Sequence, residues 1–239
     1  MTNKSVKVLI VDDSDVIKKS LEEFFRGYDF SVYTCSDGLE GLRLAAEKKP
    51  DLIFLDLMMP NVNGLKMLEV KNVLSDIKDI PVIVISGNTV KSNVIAAMEA
   101  GATKVISKPI EERILKEAVN EILSGEFFDS SSSSSSLLIT NEESKQIKKD
   151  LLQMFLKSFP EIKHKIADAM RRRDAEDLKN YIHQIKGAGA TIGYPELTEL
   201  SQEVMNLAFA TPSDWVFAEI KTSKIFRKIE EIKKQLKKR

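Results

Sequence analysis

The stretch Asp51–Gly64, reading Asp-Leu-Ile-Phe-Leu-Asp-Leu-Met-Met-Pro-Asn-Val-Asn-Gly, constrains this chain more than any other. Large apolar residues run from Leu52 to Leu55 and stop at one carboxylate, Asp56. Pro60 and Gly64 then break the chain. An apolar run bounded by turn signals reads as a strand buried on both faces, the kind found in parallel sheets covered by helices. Asp56 then lies at the carboxyl end of its strand, the edge at which open parallel sheets bind ligands. A carboxylate placed there is seldom a packing residue. It reads as a nucleophile toward phosphoryl groups.

The neighbouring sequence repeats the pattern. Strands are expected at Val6–Val11, Phe30–Cys35, Pro81–Ile85 and Lys104–Ser107. Between them lie helical stretches: one capped by Ser14, one capped by Asp37, one over Leu65–Leu74, one over Val90–Ala100 and one over Ile110–Leu123. Strand and helix alternate five times, so the expected fold is a doubly wound α/β layer with a five-stranded parallel sheet. Four strand ends then gather Asp12-Asp13, Asp56, Ser86 and Lys108 on one edge. Close carboxylates repel one another unless a cation joins them. Oxygen ligands with room for water suit Mg²⁺, which can offset charge on a transferring phosphoryl group. Lys108 can bind a phosphate oxygen and Ser86 can donate to another.

These motifs together resemble the receiver domain of two-component response regulators: Asp12-Asp13, Asp56 with Met59-Pro60 and Gly64, Ser86-Gly87, and Lys108-Pro109. The resemblance implies a flavodoxin-like fold over about residues 5 to 125 and phosphorylation of Asp56. Asp13 and Asp56 would ligate Mg²⁺, with Asp12 acting through water and the Met58 carbonyl as a further ligand. Lys108 would bind the phosphate and Ser86 would follow it on activation. It also implies a cis peptide before Pro109. The family often has an aromatic residue three positions before this lysine, where this chain has Val105, which removes the usual coupled swing of hydroxyl and ring. Met58 and Asn88 stand where the family tunes hydrolysis. A haloacid-dehalogenase-like phosphatase would need a second Asp two residues after the nucleophile, and that position is Met58.

Residues 126–140 break the alternation. Ser130–Ser136 is an unbroken serine run that cannot build a core, so this segment reads as a flexible linker between a domain at 1–125 and a second at 141–239. The second half has no strand signals. Helices are expected over Glu142–Lys157, from Pro160, from Asp174, from Pro195 and over Trp215–Leu236. The last is expected to turn Phe217, Ile220, Ile225, Ile229 and Ile232 inward. This is an antiparallel helical bundle.

Inside its third helix lies His183-Gln-Ile-Lys186-Gly187-Ala-Gly189-Ala-Thr-Ile-Gly193. Glycines within a helix cost about 1 kcal/mol each relative to Ala, so a bundle built only for stability would avoid them. His183, Lys186 and Gly187 share a face, giving a nucleophilic imidazole, a positive charge and open space on what reads as an accessible ridge. The stretch resembles histidine phosphotransfer (HPt) domains, whose pattern is His-x-x-Lys-Gly followed by small residues. The resemblance implies that His183 carries phosphate, supported by Lys186 and Gly187. A sensor kinase would follow its His with an acidic residue, and here Gln184 follows. His164, between two lysines, reads as solvated surface.

Composition narrows the function. Lys+Arg and Asp+Glu both total 36, and zero formal charge argues against nucleic-acid binding by a basic field. Cys35 is the single cysteine, so no intramolecular disulfide forms. No apolar run reaches the roughly 20 residues of a membrane helix, and a signal-peptide pattern is lacking, so a cytoplasmic protein without membrane contact is expected. No nucleotide loop is evident, so the chain is expected to be a phosphotransfer protein and not a kinase. The expected function is a phosphorelay: Asp56 accepts phosphate from a partner's phosphohistidine, and His183 exchanges it with an aspartate of the same or another receiver. Sensor histidine kinases and receiver or HPt proteins are the expected partners. The alternatives are a phosphorylation-switched interaction module with a silent bundle, and a metal-dependent phosphatase.

Overall fold

The computed structural model describes residues 5–59, 62–87, 91–128 and 141–236. Pro60, Asn88, the serine run and the terminal Lys237–Arg239 lie outside them, as do the calls made on those residues. The chain divides into two units, Met1–Ser144 and Lys145–Arg239.

The first unit holds β1 (Val6–Val11), α1 (Asp15–Phe25), β2 (Phe30–Cys35), α2 (Gly38–Lys48), β3 (Leu52–Asp56), α3 (Gly64–Val73), β4 (Val82–Ser86), α4 (Lys91–Glu99), β5 (Lys104–Ser107) and α5 (Glu112–Ile122). The strands pair in parallel in the order β2-β1-β3-β4-β5. This is the doubly wound, flavodoxin-like α/β arrangement. The chain moves outward from β1 to β2, then returns to the other side of β1 at β3. That reversal opens a crevice at the carboxyl ends of β1 and β3.

Successive side chains of a strand point to opposite faces, and the buried strands divide accordingly. Leu9, Val11, Ile53, Leu55, Val82 and Val84 pack with Leu44, Met67, Leu68 and Ala97 of α2, α3 and α4. Val8, Ile10, Leu52, Phe54, Ile83 and Ile85 pack on the other face with Ile17, Leu21 and Phe25 of α1 and Leu115, Ala118 and Val119 of α5. Both faces are covered, which is why β3 and β4 are apolar up to their final residues, Asp56 and Ser86. Val105, where an aromatic residue is usual, pairs with Val84 and packs against the first of these clusters.

The expected linker begins too early. Phe127 donates its backbone N–H to Asn120 Oδ1 at 2.9 Å. Phe128 is only 4% exposed and stacks on Phe30 with centroids 5.7 Å apart. It also meets Phe24 and Tyr28. Two aromatic rings following Gly125 fit an apolar gap left by α1 and β2, which proximity to a serine run conceals.

The second unit is helical, with α6 (Asn141–Arg172), α7 (Ala175–Thr191), α8 (Pro195–Met205) and α9 (Pro212–Leu236). The break expected at Pro160 is absent, because α6 runs through it. Phe155 and Phe159 are buried while Pro160 is exposed. A proline inside a helix removes one backbone hydrogen bond, and the burial of Phe155 and Phe159 beside it favours keeping the helix continuous. Asp174 caps α7 by accepting from the Asp177 N–H at 3.0 Å, as expected. Pro195 stands in the first turn of α8.

Phe217 and Ile220 are not turned inward. The buried stripe of α9 is Ala218, Thr222, Ile225, Ile229 and Ile232, while Val216, Phe217 and Ile220 are more than half exposed. Hydropathy favours the larger residues. The spacing of four and three that continues into Ile225 favours the smaller ones, which permit closer helix approach. Gly189 serves a similar purpose on α7. A Cβ there would lie 2.8 Å from the Thr198 backbone nitrogen of α8 and 3.1 Å from Leu197 Cβ, so its missing side chain sets the α7–α8 contact.

Replacing Phe128 by Ala is expected to destabilise the first unit by about 3 kcal/mol, seen as a lower urea midpoint of its unfolding transition. Ser132→Ala is expected to leave that midpoint unchanged.

Candidate functional site

Asp12 follows β1 directly, and its N–H donates to the Cys35 carbonyl at 3.2 Å, extending the pairing with β2 by one residue. Its Oδ1 accepts from the Ser14 N–H at 2.8 Å. Ser14 in turn caps α1 by accepting from the Ile17 N–H. The start of the helix therefore orients the Asp12 carboxylate. Asp56 ends β3, and its Oδ1 accepts from the Met58 N–H at 3.1 Å. Gly64 makes this turn feasible: a Cβ there would sit 2.0 Å from the Asp56 carbonyl oxygen. Its N–H donates to the Leu57 carbonyl at 3.1 Å. A loop that doubles back under the strand end has no space for a side chain at this position.

Lys108 arrives from β5. Its N–H donates to the Ser86 carbonyl at 2.8 Å, and the peptide bond to Pro109 is cis, as expected. The ammonium donates to Asp12 Oδ2 at 2.9 Å and to Asp56 Oδ2 at 2.6 Å. Asp12 and Asp56 are 2% and 1% exposed. Asp13 is half-buried, and one carboxylate oxygen from each of Asp12, Asp13 and Asp56 lies within 4.8 Å of the others. Ser86, buried at the end of β4, completes the edge. The structure thus brings together the acidic pair, the nucleophile, the hydroxyl-bearing residue and the lysine, which lie up to 96 residues apart in sequence.

Two buried carboxylates, Asp12 and Asp56, share the Lys108 ammonium. Burial pushes the Asp12 carboxyl above its ordinary range; Lys108 opposes the shift and Asp56 adds to it. Burial would lower the Lys108 ammonium, but the two carboxylates outweigh it and hold it above its usual value, so it stays charged. The three converging carboxylates, an all-oxygen donor set, fit a small hard cation such as Mg²⁺, which takes one or two carboxylates and keeps other positions for water or phosphate. Asp12, Asp13 and Asp56 are the side chains that would hold it.

In the second unit His183, Lys186 and Gly187 fall within α7 and are all buried, His183 at 1% exposed and Lys186 at 7%. The open ridge expected from the sequence is not what the structure has. Residues not singled out in the sequence support this stretch. The Thr198 hydroxyl donates to the Lys186 carbonyl at 2.9 Å, and the Thr191 hydroxyl to the Gly187 carbonyl at 3.3 Å. Thr198 is twelve residues away on another helix, so no local pattern points to it.

Fold and site define a two-component signalling protein. Residues 8–120 match the family model of the response regulator receiver domain, and residues 150–236 match that of the Hpt domain. The chain is a receiver domain fused to an Hpt domain. Over 118 residues it is 36% identical to the transcriptional regulatory protein PrrA of Mycobacterium tuberculosis, an alignment that takes in 49% of this chain and 48% of that protein. Over 216 residues it is 24% identical to the signal transduction histidine-protein kinase BarA of Shigella flexneri, covering 83% of this chain and 23% of that protein. Among solved structures, the chemotaxis protein CheY4 of Vibrio cholerae is 26% identical, with a TM-score of 0.47 over 49% of this chain and 98% of that chain. The chain spans about half the length of PrrA and of several other curated relatives it matches. Among the described residues, no helix is long and apolar enough to cross a membrane.

The raised Asp12 carboxyl sets a pH dependence. A carboxyl that binds its proton more tightly in the folded than in the unfolded chain makes metal-free stability fall as pH rises from the ordinary carboxylate value through the folded pKa. Added Mg²⁺ is therefore expected to raise the first unit's melting temperature near neutrality, and the increment is expected to shrink toward about pH 4 as the carboxyls protonate. Calorimetry across pH, with and without the ion, measures this.

Proposed function

We propose that this chain is a phosphorelay intermediate in which Asp56 and His183 are the phosphoryl carriers. The observation that supports the reading most is the Lys108 ammonium held between Asp12 Oδ2 and Asp56 Oδ2 at 2.9 and 2.6 Å. It stabilises Asp56 as a carboxylate and stands where a phosphoryl oxygen can take over one of its contacts. In the reaction, a carboxylate oxygen of Asp56 attacks the phosphorus of a partner's phosphohistidine. The new O–P bond forms as the P–N bond breaks, and the leaving imidazole nitrogen keeps the bonding pair. Mg²⁺, held by Asp13, Asp56 and the Met58 carbonyl, with Asp12 acting through water, would offset charge on the phosphoryl oxygens. Lys108 binds one of those oxygens and the Ser86 hydroxyl donates to another. His183 exchanges phosphate with an aspartate of this or another receiver, with Lys186 supplying counter-charge. The partners are sensor histidine kinases and other receiver or HPt proteins, and the setting is the cytoplasm.

The burial of His183 favours a second reading, in which phosphorylation of Asp56 switches docking while the bundle acts only as an interaction surface.

Radiolabel transfer from a phosphorylated sensor kinase separates the two. Asp56→Asn is expected to abolish acid-stable, base-labile label. His183→Gln is expected to abolish acid-labile, base-stable label supplied from a phosphorylated receiver. Wild-type label confined to Asp56, with signalling output intact in His183→Gln, would favour the second reading. Undiminished labelling of the double variant would end both.

A further inference from the structure

The histidine-bearing stretch of α7 is joined to α8 by a contact that the proposed reaction leaves unused. The Thr198 hydroxyl, near the start of α8, donates to the Lys186 backbone carbonyl at 2.9 Å. Inside an α-helix that carbonyl is already the acceptor for the N–H four residues on, that of Ala190. The hydroxyl is a second donor, arriving from another helix. Gly189 makes its approach feasible, because a Cβ at 189 would lie 2.7 Å from Thr198 Oγ1 and 2.8 Å from the Thr198 backbone nitrogen. The hydroxyl and the missing side chain form one fitted contact. The turn between the two helices closes on the same stretch: the Tyr194 N–H donates to the Gly189 carbonyl at 2.8 Å and the Gly193 N–H to the Ala190 carbonyl at 3.0 Å.

Lys186 is held at one end and directed at the other. Its carbonyl faces the carboxyl end of α7, where Thr198 meets it. Its Cα–Cβ bond, like every such bond in a helix, tilts toward the amino end. That is the direction of His183, three residues earlier. Lys186 is buried, so surrounding groups leave its side chain few rotamers. The placement of its backbone then decides where the ammonium stands relative to the imidazole. Ser201, further along α8, gives the contrast. It is fully buried, yet its hydroxyl makes no hydrogen bond among the described residues. A buried hydroxyl on α8 is therefore not bound to α7 merely by being there.

We propose that Thr198 is a positioning residue for phosphotransfer at His183: by holding the Lys186 carbonyl it fixes the turn that presents the Lys186 ammonium to the transferring group. The proposal rests on the reading of His183 as a phosphoryl carrier. In that transfer a ring nitrogen of His183 forms a bond to phosphorus as the O–P bond of an aspartyl phosphate breaks, and the leaving carboxylate keeps the bonding pair. The phosphoryl oxygens carry negative charge throughout, so catalysis is largely a matter of placing positive charge beside them. Thr198 touches none of the reacting atoms. It keeps an ammonium aimed at them, and displacing a group that acts on the transferring charge costs rate more than binding.

Two full-length variants separate donor from acceptor. His183→Gln, labelled at Asp56 with radioactive acetyl phosphate and Mg²⁺, is the donor. Chains carrying Asp56→Asn are the acceptors, so acid-labile label gained by them lies on histidine. In that background Thr198→Val, shown by its melting curve to be folded at the assay temperature, is expected to transfer about tenfold more slowly at saturating donor. The donor concentration for half-maximal rate is expected to stay the same. Thr198→Ser, which keeps the hydroxyl, is expected to restore most of the rate. Ser201→Ala is expected to transfer as the parent acceptor does. Adding Thr198→Val to Lys186→Ala is expected to slow transfer no further, because the two residues act as one unit. Full rate in Thr198→Val, a loss that Thr198→Ser does not restore, an equal loss in Ser201→Ala, or a further loss on top of Lys186→Ala would overturn the proposal while leaving His183 a carrier. No acid-labile label on the parent acceptor, from this donor or from phosphoramidate, would remove the carrier reading and the proposal with it.

Discussion

The Lys108 ammonium between Asp12 and Asp56 is the interaction on which the first unit's site depends. Buried charges are tolerated only when paired and hydrogen-bonded, and removing one partner leaves the others in a medium that solvates them poorly. Lys108 comes from the edge strand β5 and the two carboxylates from the central strands β1 and β3. The contact forms only when strand order and register are correct. Ser86, whose carbonyl receives the Lys108 N–H, ties β4 into the same arrangement. One ion cluster therefore depends on the ends of four strands being level.

The crowding of carboxylates in the cluster gives it chemical meaning. Two buried carboxylates share one ammonium with Asp13 close by, and burial has already pushed the Asp12 carboxyl upward. Such a site gains free energy from whatever positive charge enters it. Backbone groups near the strand ends fix the rest. The Ser14 N–H holds one oxygen of Asp12 and the Met58 N–H one oxygen of Asp56, leaving the second oxygen of each to Lys108. In the proposed reaction the ammonium exchanges a carboxylate contact for a phosphoryl oxygen, so little reorganisation is needed as charge moves.

In the helical unit, small residues do two kinds of work on one helix. Gly189 admits α8, and Thr198 reaches across that contact to the Lys186 carbonyl. Gly187 lies beside His183 without adding bulk. The long helices divide their apolar residues in an uneven way: α9 buries Ala218 and Thr222 while leaving Val216, Phe217 and Ile220 outside.

Much of the first unit was legible because its signals are local. The apolar runs of β3 and β4, the caps at Ser14 and Asp37, and a carboxylate, hydroxyl or lysine at successive strand ends are contained within a few residues each, and a parallel sheet forces such ends onto one edge. The helices from Asp174 and Pro195 were announced by a capping carboxylate and a first-turn proline. What the sequence left open depended on neighbours distant along the chain. Whether Phe127 and Phe128 belong to a linker was decided by a gap beside Phe24 and Phe30. Whether Pro160 breaks a helix was decided by buried aromatics on the opposite face. The phase of α9, the close approach at Gly189 and the burial of His183 were likewise settled by packing. Local pattern specifies which residues carry chemistry and which way a strand must end; only the three-dimensional contacts determine which of several apolar faces is covered, because burial free energy belongs to the whole packed surface and not to any one residue's hydropathy.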